Sequence, residues 1–249
     1  MISPTPRPGR GPSLHELADT GRLPDHQVMD RPTLDWIARH RPAGPGVRAR
    51  LPHRPLLLVP NASWFARTQT AASIHGVRHG ARVAVLVQLL AASHDLSPGR
   101  GLALAAAAAC HDCRRLNDHD DPGHGRRAAD WLTEHSASLQ TMFRTVATTE
   151  AITAVALHDV PHHAFARDQE RAYEQHKVAV DLLKAADALD RYRLPLARWW
   201  PDLNRLQLQV PAWAPVLAHD LVVGSEHAHL DGATDTQALE RALQAVMPE

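Results

Sequence analysis

From Thr68 onward the chain is a succession of long Ala-, Leu- and Val-rich runs, broken by Pro and Gly clusters at Ser97-Pro98-Gly99, Asp121-Pro122-Gly123, Val160-Pro161 and Leu194-Pro195. No stretch alternates apolar and polar residues with a period of two for the length of a strand, so the pattern predicts an all-α fold. Ala and Leu far outnumber Phe, Tyr and Ile, which favours helices over sheets for the same reason. The expected helices run over about 69–94, 100–114, 124–137, 139–158, 167–192 and 235–246.

The first 66 residues read differently. They are rich in Pro, Gly and Arg, with one short amphipathic helix expected around Leu34-Asp35-Trp36-Ile37-Ala38. The expected organisation is therefore a partly irregular extension over 1–66, a helical domain over 67–206 and a helical C-terminal segment over 207–249 packed on it. A chain of 249 residues accommodates this as one large domain.

Lys plus Arg and Asp plus Glu balance at 27 each, so no global field draws the chain to nucleic acid or to an anionic membrane. Neither partner is expected, whereas a homo-oligomer is left open. The N-terminal stretch lacks the apolar run of a signal peptide, and Leu56-Leu57-Leu58-Val59 is too short to span a bilayer, so a cytoplasmic location is expected. The two cysteines, Cys110 and Cys113, form C-x-x-C without the βαβ setting of a redox motif and read as packing on an Ala-rich helix.

Histidine stands out, at eighteen residues. Five His-Asp dipeptides occur, at 94, 111, 119, 158 and 219, so the dipeptide alone selects nothing. Position selects better. His111-Asp112 follows the most apolar run, Leu102 to Ala109; Ile152 to Leu157 leads into His158; and Val178 to Ala186 leads into Asp187. Polar groups carried into a helical core need partners, and a metal ion is the usual one. On the first long helix His75, His79 and Arg82 fall on one face at i, i+4 and i+7. Gly76 stands where H-E-x-x-H would have its glutamate, which excludes a zinc-protease reading.

The segments I-H-G-x-x-H-x-x-R-V, H-D-x-R-R-x-N-D, D-P-G-H-G-x-R-A-A and A-D-x-L-D-x-x-R, in this order over about 71–206, resemble the HD superfamily of metal-dependent phosphohydrolases and more closely a bacterial subgroup of it. The resemblance implies an HD-domain helical bundle with one metal held by His79, His111, Asp112 and Asp187. His124 and His158 stand where relatives of the two-metal type carry additional ligands, which implies a second metal held by Asp112, His124 and His158, with Asp112 bridging. His75 stands one turn before His79, where some members carry an extra ligand, and is a ligand, an outer hydrogen-bond donor or a substrate contact. Imidazole and carboxylate donors suit divalent transition metals, Fe or Mn ahead of Zn, Co, Ni or Mg.

The implied activity is hydrolysis of a small phosphomonoester or phosphodiester, such as a nucleotide, by a metal-activated bridging hydroxide, with Asp112 at its centre. Basic residues expected to neutralise the phosphoryl group are Arg82, Arg114, Arg115, Lys184 and Arg193. Lys184 is one of only two lysines and lies one turn before Asp187. Asp118, Asp121, Asp159 and Asp190 are candidate acceptors for the ligand imidazoles. No G-Y-P signature follows the metal residues, which argues against a cyclic dinucleotide. The same four-His, two-Asp set also suits a mixed-valent di-iron oxygenase, and a degenerate module acting as a ligand sensor is the reading from a third class.

Overall fold

The structure is a computed structural model that describes residues 11–45 and 54–247. The Pro/Arg-rich stretches of sequence at 1–10 and 46–53 lie outside the described residues. Among the described residues there are eleven α-helices and no strand, and no helix is long and apolar enough to cross a membrane.

The core is built from α4 (Val77–Ser93), α5 (Pro98–Ala108), α8 (Thr149–Leu157) and α9 (Arg167–Asp190), with α6 (His124–Glu134) laid against α8. Local chemistry sets their ends. Ser97 and Pro98 open α5, Thr148 accepts the Ala151 N–H to cap α8, and Gly123, at φ 80°, turns the chain into α6. Helix α4 is buried along nearly its whole length. Fully buried Leu86, Leu89, Leu90, Leu182, Leu183 and Leu189 join it to α9 in one apolar cluster. At about 1.5–3 kcal/mol for each fully buried side chain, this cluster offsets the cost of the charged groups sunk beside it.

The N-terminal segment contributes α1 (Leu14–Asp19) and α2 (Arg31–Arg39). Leu14, Met29, Leu34, Ile37 and Ile74 form a second apolar cluster, sealed by Trp36, Leu194 and Trp200. Helix α2 packs against α10 (Ala214–Leu230), which pairs with α11 (Asp235–Val246) as a C-terminal hairpin. Two short helices, α3 (Thr68–Ala72) and α7 (Ser136–Phe143), complete the set.

Several expected helices are cut. The run over 69–94 breaks between α3 and α4, because the Ser73 hydroxyl accepts the His75 N–H and the Gln27 carbonyl accepts the Ile74 N–H. His75 therefore precedes α4 and does not share a helical face with His79. The run over 100–114 ends as helix at Ala108 and continues as tight turns, with the His111 N–H on the Ala108 carbonyl and the Cys113 N–H on that of Cys110. The run over 139–158 divides at Arg144, which adopts φ 57°. Helix α1 is additional to the expected set, and α10 falls in the helical C-terminal segment expected over 207–249, where the sequence bounds only a helix over 235–246.

Candidate metal centre

The site lies where the ends of five helices meet. His79 sits in the first turn of α4, His111 and Asp112 in the turns after α5, His124 opens α6, His158 follows α8, and Asp187 lies in the last turn of α9. Two glycines bring these ends together. A Cβ on Gly80 would lie 2.2 Å from the Ala109 carbonyl oxygen, and one on Gly125 would lie 2.6 Å from that of Val155. Each glycine follows a histidine, His79 or His124, and lets its helix close on the backbone that carries the next one, His111 or His158.

The result is two facing imidazole pairs. The Nε2 atoms of His79 and His111 are 3.1 Å apart, and those of His124 and His158 are 3.0 Å apart. Asp112 lies between the pairs, with Oδ1 3.0 Å from His124 Nε2, 3.4 Å from His158 Nε2 and 3.7 Å from His111 Nε2, and Oδ2 3.6 Å from His79 Nε2. Asp187 Oδ1 is 3.4 Å from His79 Nε2 and 3.7 Å from His111 Nε2. Apart from Asp187, whose side chain is 28% exposed and opens toward solvent, these residues are buried.

The other ring nitrogens decide what these distances mean. His111 Nδ1 donates to the Ala108 carbonyl, His124 Nδ1 to that of Asp121 and His158 Nδ1 to that of Val155, each at 2.7 Å, and His79 Nδ1 donates to the Asp190 carboxylate at 2.8 Å. With every Nδ1 committed as a donor, each neutral ring presents a bare lone pair at Nε2. Two facing lone pairs cannot hydrogen-bond, so the gaps call for positive charge. Donor separations of about 3.0–3.4 Å are those that tetrahedral or octahedral coordination produces at metal–ligand distances near 2.0–2.2 Å. Three overlapping triads of metal-ligating atoms result: His75, His79 and Asp112; His79, His111 and Asp187; and His111, Asp112 and His158. The buried cluster is thus fit to hold a metal ion.

Electrostatics agree. Burial works against charge on Asp112 and Asp187, yet the surrounding histidines, and Arg115 for Asp112, hold both carboxyls well below the usual range. Burial also opposes charge on His79, but hydrogen bonds to Asp112, Asp187 and Asp190 push it up to about 9. The cluster takes up protons where no cation neutralises it.

A cavity of about 680 Å³ opens onto Asp112, His124, His158 and Asp187. Its wall includes His75, Arg115, Arg191 and Arg193 beside these ligands, together with Leu23, Gln27, Leu194 and Trp199. Arg115 Nη1 is 3.8 Å from Asp112 Oδ2 and donates to His124 Nε2 at 3.3 Å. His75 Nδ1 is 2.9 Å from Asp112 Oδ2 and 3.0 Å from Arg193 Nη2. Burial, together with Arg193, holds His75 neutral, its pKa well below the ordinary histidine value.

Three of the expected basic residues lie elsewhere. Arg82 is 1% exposed and clamps Asp190 through Nε and Nη2 at 2.7 and 3.0 Å, so it faces the back of His79 and not the cavity. Lys184 donates to the carbonyls of His158 and Val160 and lines a separate recess of about 200 Å³ that shares His158, Asp187 and Arg191 with the main cavity. Arg114 donates to the Trp64 carbonyl. Of the candidate outer carboxylates, Asp190 holds His79, Asp159 Oδ2 lies 3.5 Å from His124 Nδ1, and Asp121 takes Arg127 while its carbonyl takes His124. Asp118 instead accepts the Gln27 N–H and the Ser73 hydroxyl. His162, His227 and His229 are not among the ligands and face Asp181, Asp231 and Asp235 at 3.2, 3.5 and 3.5 Å.

Sequence reasoning passed over Gln27 and Leu23 in the cavity wall and Glu226 behind Arg82. Glu226 sits in α10, a helix apolar on most sides, where no periodicity marks it. Both cysteines are fully buried and unpaired; burial pushes the Cys113 thiol up to about 12 and that of Cys110 well above its usual value.

No family model, curated protein or solved structure matches this chain.

Proposed function

We propose that the chain is a metal-dependent hydrolase of a small phosphomonoester or phosphodiester, of the kind the HD-superfamily resemblance implies. The observation that carries this reading is the convergence of four Nε2 lone pairs and two carboxylates on one buried point, beneath a cavity that also presents Arg115, Arg191 and Arg193. Divalent ions bound there, with Fe or Mn favoured, would lower the pKa of a bound water and neutralise phosphoryl oxygens.

The protein's own groups divide the remaining work. Asp112 reaches both histidine pairs and so ties the two halves of the ligand set together. Arg115 and Arg193 offer guanidinium donors beside Asp112 and Asp187, where an anionic phosphoryl group needs them. Neutral His75 lines the same wall as a donor or acceptor toward substrate oxygen. The arginines suit an anionic substrate, such as a phosphoester.

The test is turnover of a panel of nucleotides and small phosphoesters by Mn- or Fe-loaded protein, with His111→Ala/Asp112→Ala as control. Release of phosphate or of an alcohol that the double variant abolishes is the expected result. Absence of turnover on every phosphoester, with a mixed-valent Fe(II)/Fe(III) signal and oxygen uptake, would replace this reading with the oxygenase. Neither activity in metal-loaded protein would leave the sensor.

A further inference from the structure

The two halves of the ligand set are built differently. Three of the four imidazoles lean on backbone carbonyls, but His79 Nδ1 donates to a carboxylate, that of Asp190. Asp190 is fully buried and gripped in bidentate fashion by Arg82, whose remaining Nη1 donates to Glu226 Oε1 at 2.7 Å and to Ser225 Oγ at 3.1 Å. Glu226 Oε2 in turn takes Arg78 Nε at 3.0 Å, and Arg78 Nη1 reaches Asp235 at 2.7 Å. A continuous chain of charges, buried from Arg78 inward, thus runs from the α10–α11 hairpin to the back of His79. A carboxylate acceptor makes the far nitrogen of an imidazole a better ligand than a carbonyl acceptor does, and outer partners of this kind change metal affinity by about 10–100-fold.

At the other half a cation already competes. Arg115 Nη1 donates to the Nε2 lone pair of His124 and stands 3.8 Å from Asp112. Any ion binding between His124 and His158 must displace that hydrogen bond and sit beside a guanidinium. Arg193 Nη2 stands 4.0 Å from Asp187 Oδ1 at the first half, but no cation donates to the Nε2 atoms of His79 and His111, which face each other, Asp112 and Asp187.

We infer that the site has two unequal metal positions: a tight one on His79, His111 and Asp187, whose affinity is set by Glu226 acting through Arg82 and Asp190, and a weak one on His124 and His158, held back by Arg115. This rests on the metal-dependent reading given above. Glu226 is a positioning residue, since it touches no ligand atom, and Asp112 serves both positions. The protein therefore loads in order, the His79 position first and the position beside Arg115 second.

The experiment is a calorimetric titration of Mn²⁺ into the full chain after chelator treatment, for wild type, Glu226→Gln and Arg115→Gln. Two resolved steps are expected in wild type. Glu226→Gln should weaken the first step by about 10–100-fold and leave the second within error, while Arg115→Gln should tighten the second and spare the first. A general loosening of the fold would move both steps together, so equal shifts in Glu226→Gln overturn the proposal, as does a weakened second step in Arg115→Gln. Should Glu226→Gln fail to fold, wild type crystallised with one equivalent of Mn²⁺ decides: the ion against His79, His111 and Asp187 supports the order, and the ion between His124 and His158 refutes it. Failure of any ion to bind wild type would instead overturn the metal-dependent reading itself.

Discussion

Gly80 and the Ala109 carbonyl approach so closely that a Cβ on the glycine would stand 2.2 Å from the oxygen. That contact, one residue after His79 and two before His111, fixes the separation of the first imidazole pair. The second pair depends in the same way on Gly125 against the Val155 carbonyl.

Gly80→Ala should therefore act on stability and on the site together. The obstructing atom is backbone, so α4 must retreat, at about 1–3 kcal/mol for overpacking, and the His79–His111 gap widens. Denaturant unfolding and metal content on the same preparation measure both effects. Wild-type metal content at unchanged stability would show that the close approach is not needed.

Metal removal should lower the melting temperature. A ligand that binds only the folded state adds about 2.7 kcal/mol at a hundredfold excess over its Kd, so Mn²⁺ should raise Tm for wild type and leave His111→Ala/Asp112→Ala unmoved. The rise should shrink as pH falls below about 9, the value to which the carboxylates push His79 against the effect of burial, because ion and proton compete for one lone pair. Differential scanning calorimetry across pH, with and without chelator, reads this directly. An increment that grows toward acid pH would contradict it.

Arg82→Met should be severely destabilising although Arg82 touches no cavity. It removes the guanidinium that Asp190 and Glu226, both buried, share, leaving them to His79 and Arg78, and breaking such a network costs about 3–5 kcal/mol. Burial raises the Asp190 carboxyl, but Arg82 and His79 more than offset this and bring it down to about 2, against about 3.9 unfolded. The stability from this depression is complete above pH 4 and is lost as pH falls toward 2. Urea midpoints measured between pH 2 and pH 7 should decline over this window in wild type and show a flatter dependence there in the variant.

Cys110 and Cys113 should be inert. With both thiols buried and their pKa values raised, a disulfide reagent should label neither in the native protein and both after unfolding. Cys110→Ala/Cys113→Ala should retain metal binding. Rapid native labelling would reopen a redox role for the pair.

Much of the fold was legible in the sequence because apolar runs and their stops are local. The stops at Pro98 and Pro122-Gly123 and the Thr234 cap of α11 can be read in order, whereas the Thr148 cap of α8 lay unread inside the run expected over 139–158. Helix α1 carried a readable signal too, the Ser13 and Glu16 capping box, hidden by the Pro-rich text around it. Helix α10 had none: buried on several sides, it lacks the contrast between faces that marks a surface helix. At the site, His111, Asp112, His158 and Asp187 were visible as polar residues at the ends of apolar runs, whereas His79 and His124 joined them only through the resemblance of their segments. Arg82 and Lys184 were not separable from Arg115 by spacing. Whether a guanidinium faces a cavity or a buried carboxylate depends on what α10 and α9 bring alongside, which is a tertiary matter.

Asp118 has a consequence for how this chain can be divided. It takes the Gln27 N–H on one oxygen and the Ser73 hydroxyl on the other, while its own N–H goes to the Asp25 carbonyl. Residues 23–27 are thereby stitched to the rim as part of the cavity wall. A fragment excised at residue 67 would keep all six candidate ligands but lose a wall of the chamber above them, along with the carbonyl that anchors Ile74 beside His75. The smallest piece able to enclose a substrate over these ligands begins upstream of Leu23.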